Sequence, residues 1–228
     1  RVQQELERQE EFNANVSHEL RTPIAVMHAQ CQVSRELAEK KQDKEAIKSI
    51  EVFERQTNRM KNLVDQLLQM TAIDRKGTTF SIEDIDVRDV IESACDDIAY
   101  IDTKQITFEY SLQPTIIHAN MNLIYIVINN LLSNAVKYSS EGAKIYVSCG
   151  EKDGKSYIRI QDEGCGIKKE NISKIFESFY REEKDRNAEG FGLGLSQAIK
   201  IAELYGGGIY VESTKDKGSI FTFFIPKP

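Results

Sequence analysis

The sequence holds no tryptophan, four prolines and four cysteines in 228 residues, and its first glycine is Gly77. Each scarcity excludes something. Cys31, Cys95, Cys149 and Cys165 form no C-x-x-C pair, which argues against a zinc site and against a disulfide framework. A reducing cytoplasm is the natural setting for such a chain. The longest apolar runs, such as Leu123 to Ile128, fall far short of the ~18 residues that suggest a membrane span. Arg1 to Glu11 is charged and polar, so no signal peptide is read there. A start at Arg rather than Met suggests a fragment with sequence missing upstream. A formal net charge of -6 argues against a nucleic-acid surface.

What is present suits a soluble core: 40% hydrophobic and 29% charged residues. The composition changes along the chain. The first 76 residues carry one proline, Pro23, and two aromatics, Phe12 and Phe53. With so few helix breakers that segment can be helical almost throughout. From Gly77 onward glycines, aromatics and β-branched runs appear together. Two domains of different class are expected, 1–76 and 77–228.

In the first domain Val16, Leu20, Ile24, Met27 and Cys31 step by three or four residues. Ala46, Ile50, Phe53, Thr57, Met60, Val64, Leu67 and Thr71 then alternate steps of four and three, a heptad-like stripe. Glu39 to Lys44 is charged without an apolar residue and reads as a solvated loop. The expectation is an antiparallel helical hairpin with one exposed apolar face, which a homodimer would bury as a four-helix bundle.

The second domain alternates strands and helices. Strands are expected at Ile106–Leu112, Ala143–Cys149, Ser156–Gln161, Gly208–Ser213 and Ser219–Ile225. Helices are expected at about Val87–Ala99, Asn122–Lys137 and Leu193–Tyr205. That mixture predicts an α+β two-layer sandwich.

Four strings carry chemistry. In Ser17-His-Glu-Leu-Arg-Thr-Pro23, His18 lies about 200° around the helix from the apolar Val16 and Leu20, so it faces away from the seam. Thr22 shares its face. Pro23 cannot donate to the Glu19 carbonyl, so a kink is expected one turn after His18. An exposed imidazole, with an ordinary pKa of ~6.5, is largely neutral at pH 7 and nucleophilic. Glu19 can orient it or take its proton. His28 and His118 read as plain surface histidines. On the Asn122–Lys137 helix, Asn130, Asn134 and Lys137 share one face and Leu131, Leu132, Ala135 and Val136 the other. Amide oxygens suit Mg²⁺ and a lysine suits phosphate. Asp162-Glu-Gly164-Cys-Gly166 ends a strand, where a carboxylate can accept from an amine. Gly190-Phe-Gly192-Leu-Gly194 precedes a helix and frees backbone for phosphate contacts, without being a P-loop or a dinucleotide fingerprint.

The His18 string is the most unusual of the four, whereas each of the other three is weak alone and a polar helix face or a plain turn would account for it. Their order and spacing resemble a known family. The His18 string is similar to the phosphoacceptor box of sensor histidine kinases, with Ile24 where that pattern has Leu. The other three resemble the N, G1 and G2 boxes of that family's Bergerat-type ATP-binding domain, with Ile175 to Arg181 in the place of its F box.

The resemblance implies a histidine kinase-like ATPase fold in the second domain and a homodimer. It implies an ATP-dependent autokinase acting on His18, with Glu19 assisting. It also implies ATP and Mg²⁺ as cofactors. Asn134 would hold the metal, with Asn130 supporting it or also contacting the phosphates. Lys137 would meet the phosphates, Tyr138 would line the pocket and Asp162 would hold the adenine amino group, with Gly164, Gly166 and Arg181 also among the nucleotide-binding residues. Gly190, Gly192 and Gly194 would border the triphosphate, and 168–189 would contain a lid. The partner would be a response-regulator receiver domain, whose aspartyl phosphate Thr22 would also help hydrolyse. The chain would be the cytoplasmic portion of a membrane-bound sensor. Two departures stand out: Ser178 replaces a basic F-box residue, and Ala119-Asn120 replaces Gly-Asp before the N box, where Asn120 reads as an N-cap. A non-kinase ATPase of the same fold and a helical dimeriser with a vestigial nucleotide domain remain the rivals.

Overall fold

The computed structural model describes residues 20, 23–74, 80–182 and 191–227. The chain divides into two compact units, Arg1–Thr78 and Thr79–Pro228.

In the first unit, helix α1 covers 23–40 and helix α2 covers Lys44–Asp74. The charged stretch expected to be a loop is shorter than expected, because Glu39 and Lys40 finish α1 and Lys44 starts α2. Asp43 makes the restart possible: its carboxylate accepts from the N–H of Ala46 at 3.0 Å, satisfying a first-turn donor of α2. Arg35 ties the helices together, donating to Glu54 at 2.9 Å while also meeting Glu39 on its own helix at 3.0 Å. The heptad-like stripe of α2 splits into two. Thr57 and Val64 are buried, whereas Phe53 is 66% and Met60 45% exposed. Val33, Leu37 and Val52 are exposed as well. One face of the hairpin is therefore used within the unit and a second apolar set is left outside it.

The second unit is the expected α+β sandwich. Its elements are β1 (Glu83–Asp86), α3 (Val87–Ile101), β2 (Thr107–Leu112), β3 (Ile116–Ala119), α4 (Met121–Tyr138), β4 (Lys144–Lys152), β5 (Lys155–Asp162), α5 (Gly194–Leu204), β6 (Gly208–Ser213) and β7 (Ser219–Pro226). Short 3₁₀ turns occupy Lys169–Asn171 and Lys174–Phe176. Five strands form one sheet in the order β2-β4-β5-β7-β6, antiparallel except for the parallel β2–β4 pair. Strands β1 and β3 pair separately. Alternation along the strands makes the two faces. Ile145, Val147, Cys149, Ile158, Ile160, Phe221, Phe223 and Ile225 are buried against the helices. Helix α4 is central, packing on α3, α5 and β5, and Ile124, Val127, Ile128, Leu131 and Leu132 are fully buried. Asn120 caps it as expected, its side-chain oxygen accepting from the N–H of Leu123 at 3.1 Å.

Candidate functional site

The end of β5 delivers Asp162 to the interior. It is 5% exposed and pairs with Ser219, the first residue of β7. Its Oδ1 accepts two backbone hydrogen bonds, from Gly164 at 2.8 Å and from Ser219 at 3.3 Å. Among the described residues its Oδ2 accepts none, so one lone-pair edge remains for a donor from outside the chain. Burial pushes the carboxyl above the ordinary carboxylate range, against the opposing pull of the two N–H donors.

The loop after Asp162 is held against the last turn of α4. The N–H of Cys165 donates to the Tyr138 carbonyl at 3.3 Å. A Cβ on Gly164 would sit 2.5 Å from that same carbonyl oxygen, so only glycine lets the two backbones approach.

Helix α4 presents Asn130, Asn134 and Lys137 at its half-buried margin, while Leu131, Leu132 and Ala135 are buried. Val136 is only half-buried. The Lys137 ammonium lies 5.1 Å from the centre of the Tyr138 ring. Asn130 is committed to α5. Its amide nitrogen donates to Gln197 at 3.3 Å, and its oxygen lies against Gly194, where a Cβ would come within 2.8 Å. The Asn134 amide makes no hydrogen bond among the described residues, so its oxygen is available to a ligand.

The glycine loop enters α5 without a side-chain cap: Leu193 occupies the N-cap position in αR geometry. Among the described residues the first-turn N–H groups thus have no side-chain acceptor, an arrangement that suits an anion. Gly192 sits at φ +75°, and its carbonyl accepts from the N–H of Phe179 at 2.9 Å. A Cβ there would stand 2.6 Å from the Tyr180 carbonyl oxygen. The F-box segment and the glycine loop are thereby tied together, and Arg181 follows half-buried. Gly166, at φ +61°, turns the β5 loop against Thr214.

The structure thus gathers Asp162, Gly164, Tyr138, Lys137, Asn134, Asn130, Gly194 and Gly192 around one helix. His18, Glu19, Thr22 and Gly190 lie outside the described residues, as does the kink expected before Pro23. Three residues of the region escape the sequence reading. Ser219 contributes its backbone N–H and the Lys104 ammonium binds backbone carbonyls at the end of α4, pairings for which no local signal exists. Gln197, 1% exposed among Ala198, Ile201 and Ala202, did leave one: a polar residue in the buried phase of its helix.

Mg²⁺ fits the donor chemistry through the Asn134 oxygen together with phosphate oxygens. Among the described residues no cluster of three His, Cys, Asp or Glu side chains forms a metal cage of its own.

Two family models match. "His Kinase A (phospho-acceptor) domain" covers residues 8–76, and "Histidine kinase-, DNA gyrase B-, and HSP90-like ATPase" covers 119–228. The chain is 35% identical over 222 residues to the sensor histidine kinase WalK of Bacillus subtilis (strain 168), covering 95% of this chain and 36% of WalK. The histidine kinase AdeS of Acinetobacter baumannii is similar in structure, with a TM-score of 0.65 at 25% identity over 92% of this chain and 97% of AdeS. The fold of full-length ShkA, solved in complex with AMPPNP, matches with a TM-score of 0.80 at 22% identity, over 95% of this chain and 45% of that one. The chain spans less than half the length of the curated relatives it matches, 36% of one and 44% of another.

Proposed function

Because the chain belongs to the sensor histidine kinase family, with that family's phosphoacceptor and ATP-binding domains, we propose that it is an ATP- and Mg²⁺-dependent autokinase. It phosphorylates His18 and passes the phosphoryl group to an aspartate of a receiver domain. The observation that carries this reading is the meeting of three motifs on α4. The Asp162 loop rests on Tyr138, and the glycine loop rests on Asn130. Those residues are eight apart, or about 12 Å along a helix axis. A base at one end and a triphosphate at the other suit that span.

In this reading the free edge of Asp162 accepts from the adenine amine, and Tyr138 lines the base. Lys137, Arg181 and the N–H groups of the glycine loop and α5 take the phosphates. Asn134 would hold Mg²⁺, and the metal would neutralise phosphate charge. The neutral imidazole nitrogen of His18 attacks the γ-phosphorus in line. The N–P bond forms, the bond to the β,γ-bridging oxygen breaks, ADP leaves, and Glu19 takes the imidazole proton. Incubation with γ-labelled ATP and Mg²⁺ should place acid-labile label on the chain. Phosphate released to solution with an unlabelled chain would instead favour a non-kinase ATPase.

The same reading assigns the exposed apolar set on the hairpin to a second copy of the chain. Phe53, Met60, Val33 and Leu37 are the residues that such a bundle would cover. The chain should sediment at twice its monomer mass at low micromolar concentration, and Phe53→Glu should halve that mass. A monomeric parent chain would overturn the assignment. Among the described residues no helix is long and apolar enough to cross a membrane, and the reading makes the chain the cytoplasmic portion of a membrane-bound sensor. Fractionation of the complete protein tests that.

A further inference from the structure

Lys104 lies in the turn between α3 and β2, far in sequence from every motif above. Its side chain nevertheless ends on α4. The ammonium donates to the carbonyls of Val136 at 2.9 Å, Lys137 at 2.8 Å and Ser139 at 2.8 Å. A helix leaves its last carbonyls without intrahelical donors. Here they are accounted for one by one. Ala135 receives the N–H of Ser139, Val136 and Lys137 receive Lys104, and Tyr138 receives the N–H of Cys165. The two outside donors alternate, so the helix end that Lys104 fixes is the same end on which the Asp162 loop rests.

The backbone of Lys104 is itself held. The Asp102 carboxylate, at the C-cap of α3, accepts from the N–H of Lys104 at 3.0 Å and of Ile106 at 2.8 Å. The Lys104 carbonyl accepts from Gly142 at 2.8 Å, just beyond α4. A cation at a helix C-terminus is favoured by the helix dipole, and three charge-assisted bonds fix its place.

We propose that Lys104 is a positioning residue of the nucleotide site: it holds the C-terminal turn of α4 so that the Tyr138 carbonyl can seat the Asp162–Gly166 loop. The inference rests on the nucleotide reading of that loop. Lys104 touches no nucleotide. It acts on the adenine end, whereas Asn134 and the start of α5 lie further back along the helix. Lys104→Met keeps the length and apolar stem and removes the donors. In the full chain, ADP affinity should fall roughly tenfold, a fraction of what three charge-assisted bonds can transmit. The KM for ATP should rise with it, while kcat at saturating ATP stays within about twofold. The Cys165 amide should exchange with solvent faster in the absence of nucleotide. Lys104→Arg, which keeps charge and several donors, should recover most of the affinity. A variant with lowered melting temperature but parental ADP affinity and parental Cys165 exchange would overturn the proposal, leaving Lys104 a stabilising cap only. A parent chain that bound no ADP would overturn the kinase reading instead, and the exchange measurement would still decide whether Lys104 seats the loop.

Discussion

His18→Gln should reduce label incorporation from γ-labelled ATP to background while nucleotide affinity stays at the parental value. The two amino acids are similar in size and polarity. They differ in the lone pair: a neutral imidazole offers one in the ring plane, whereas the glutamine amide nitrogen delocalises its own into the carbonyl. In the proposed reading nucleotide affinity depends on Asp162, Lys137 and the glycine loop, all within the second unit. Acid-labile label persisting on His18→Gln would name another acceptor and sink the assignment of the first unit. Thr22 gives the complementary test, since the four-residue spacing predicts that it shares a helix face with His18, where its hydroxyl would hold a water for attack on a receiver's aspartyl phosphate. Thr22→Ala should keep autophosphorylation within a few-fold and slow receiver dephosphorylation sharply. A fall in both activities together would make Thr22 structural, acting through a bond to the His18 carbonyl.

The second unit was legible in its strong periodicities. Among the described residues the five strands of the main sheet and the three helices of the unit lie where the two- and 3.6-residue apolar periodicities place them, within a few residues at the ends. Strands β1 and β3 were missed for a physical reason. Glu83-Asp-Ile-Asp86 carries three carboxylates in four residues, and β3 has four residues, so neither offers a propensity signal. They exist because Ile85 and Ile117 are buried and their backbones pair. In the first unit the sequence pattern makes the stripe on α2 a single seam. The split between buried Thr57 and Val64 and exposed Phe53 and Met60 requires knowing where α1 lies, which no single-helix pattern contains.

The site was legible as motifs and not as a mechanism of assembly. Asp162, Asn134 and the glycines are found by their types and spacing. What places them is backbone: the Tyr138 carbonyl, the Ser219 N–H and the carbonyls that Lys104 collects. Any sequence presents such groups, so their use cannot be read from residue identity. Asn130 shows the other limit. The shared face with Asn134 suggested a shared duty toward phosphate and metal. Its amide also meets Gln197 and Gly194, a tie between α4 and the glycine loop that the helix face does not reveal.

Asp162→Asn should weaken ATP binding by tens-fold and leave the ligand-free chain no less stable at neutral pH. Both halves follow from the same two oxygens. Oδ1 accepts from Gly164 and Ser219, so an asparagine oxygen takes that place. The new NH₂ group then occupies the Oδ2 edge, where a donor would face the donating adenine amine. Losing one charge-assisted bond costs roughly 1.5–3 kcal/mol, and each 1.4 kcal/mol is about tenfold in affinity. Stability moves the other way. Burial raises the carboxyl's folded-state pKa, so between the unfolded and folded values the native chain holds more proton than the unfolded one. Stability therefore declines as pH rises through that window, and at neutral pH the ionised side chain is a cost that the amide removes. ATP affinity of the parent chain should correspondingly begin to fall on acidification above the ordinary carboxylate range, and the variant should lack that step. Calorimetric titration with ATP across pH, paired with melting curves without nucleotide, reads both. Parental ATP affinity in Asp162→Asn would remove the adenine contact. A large loss of melting temperature would mean that the carboxylate's charge serves the fold through Gly164 and Ser219 rather than the ligand.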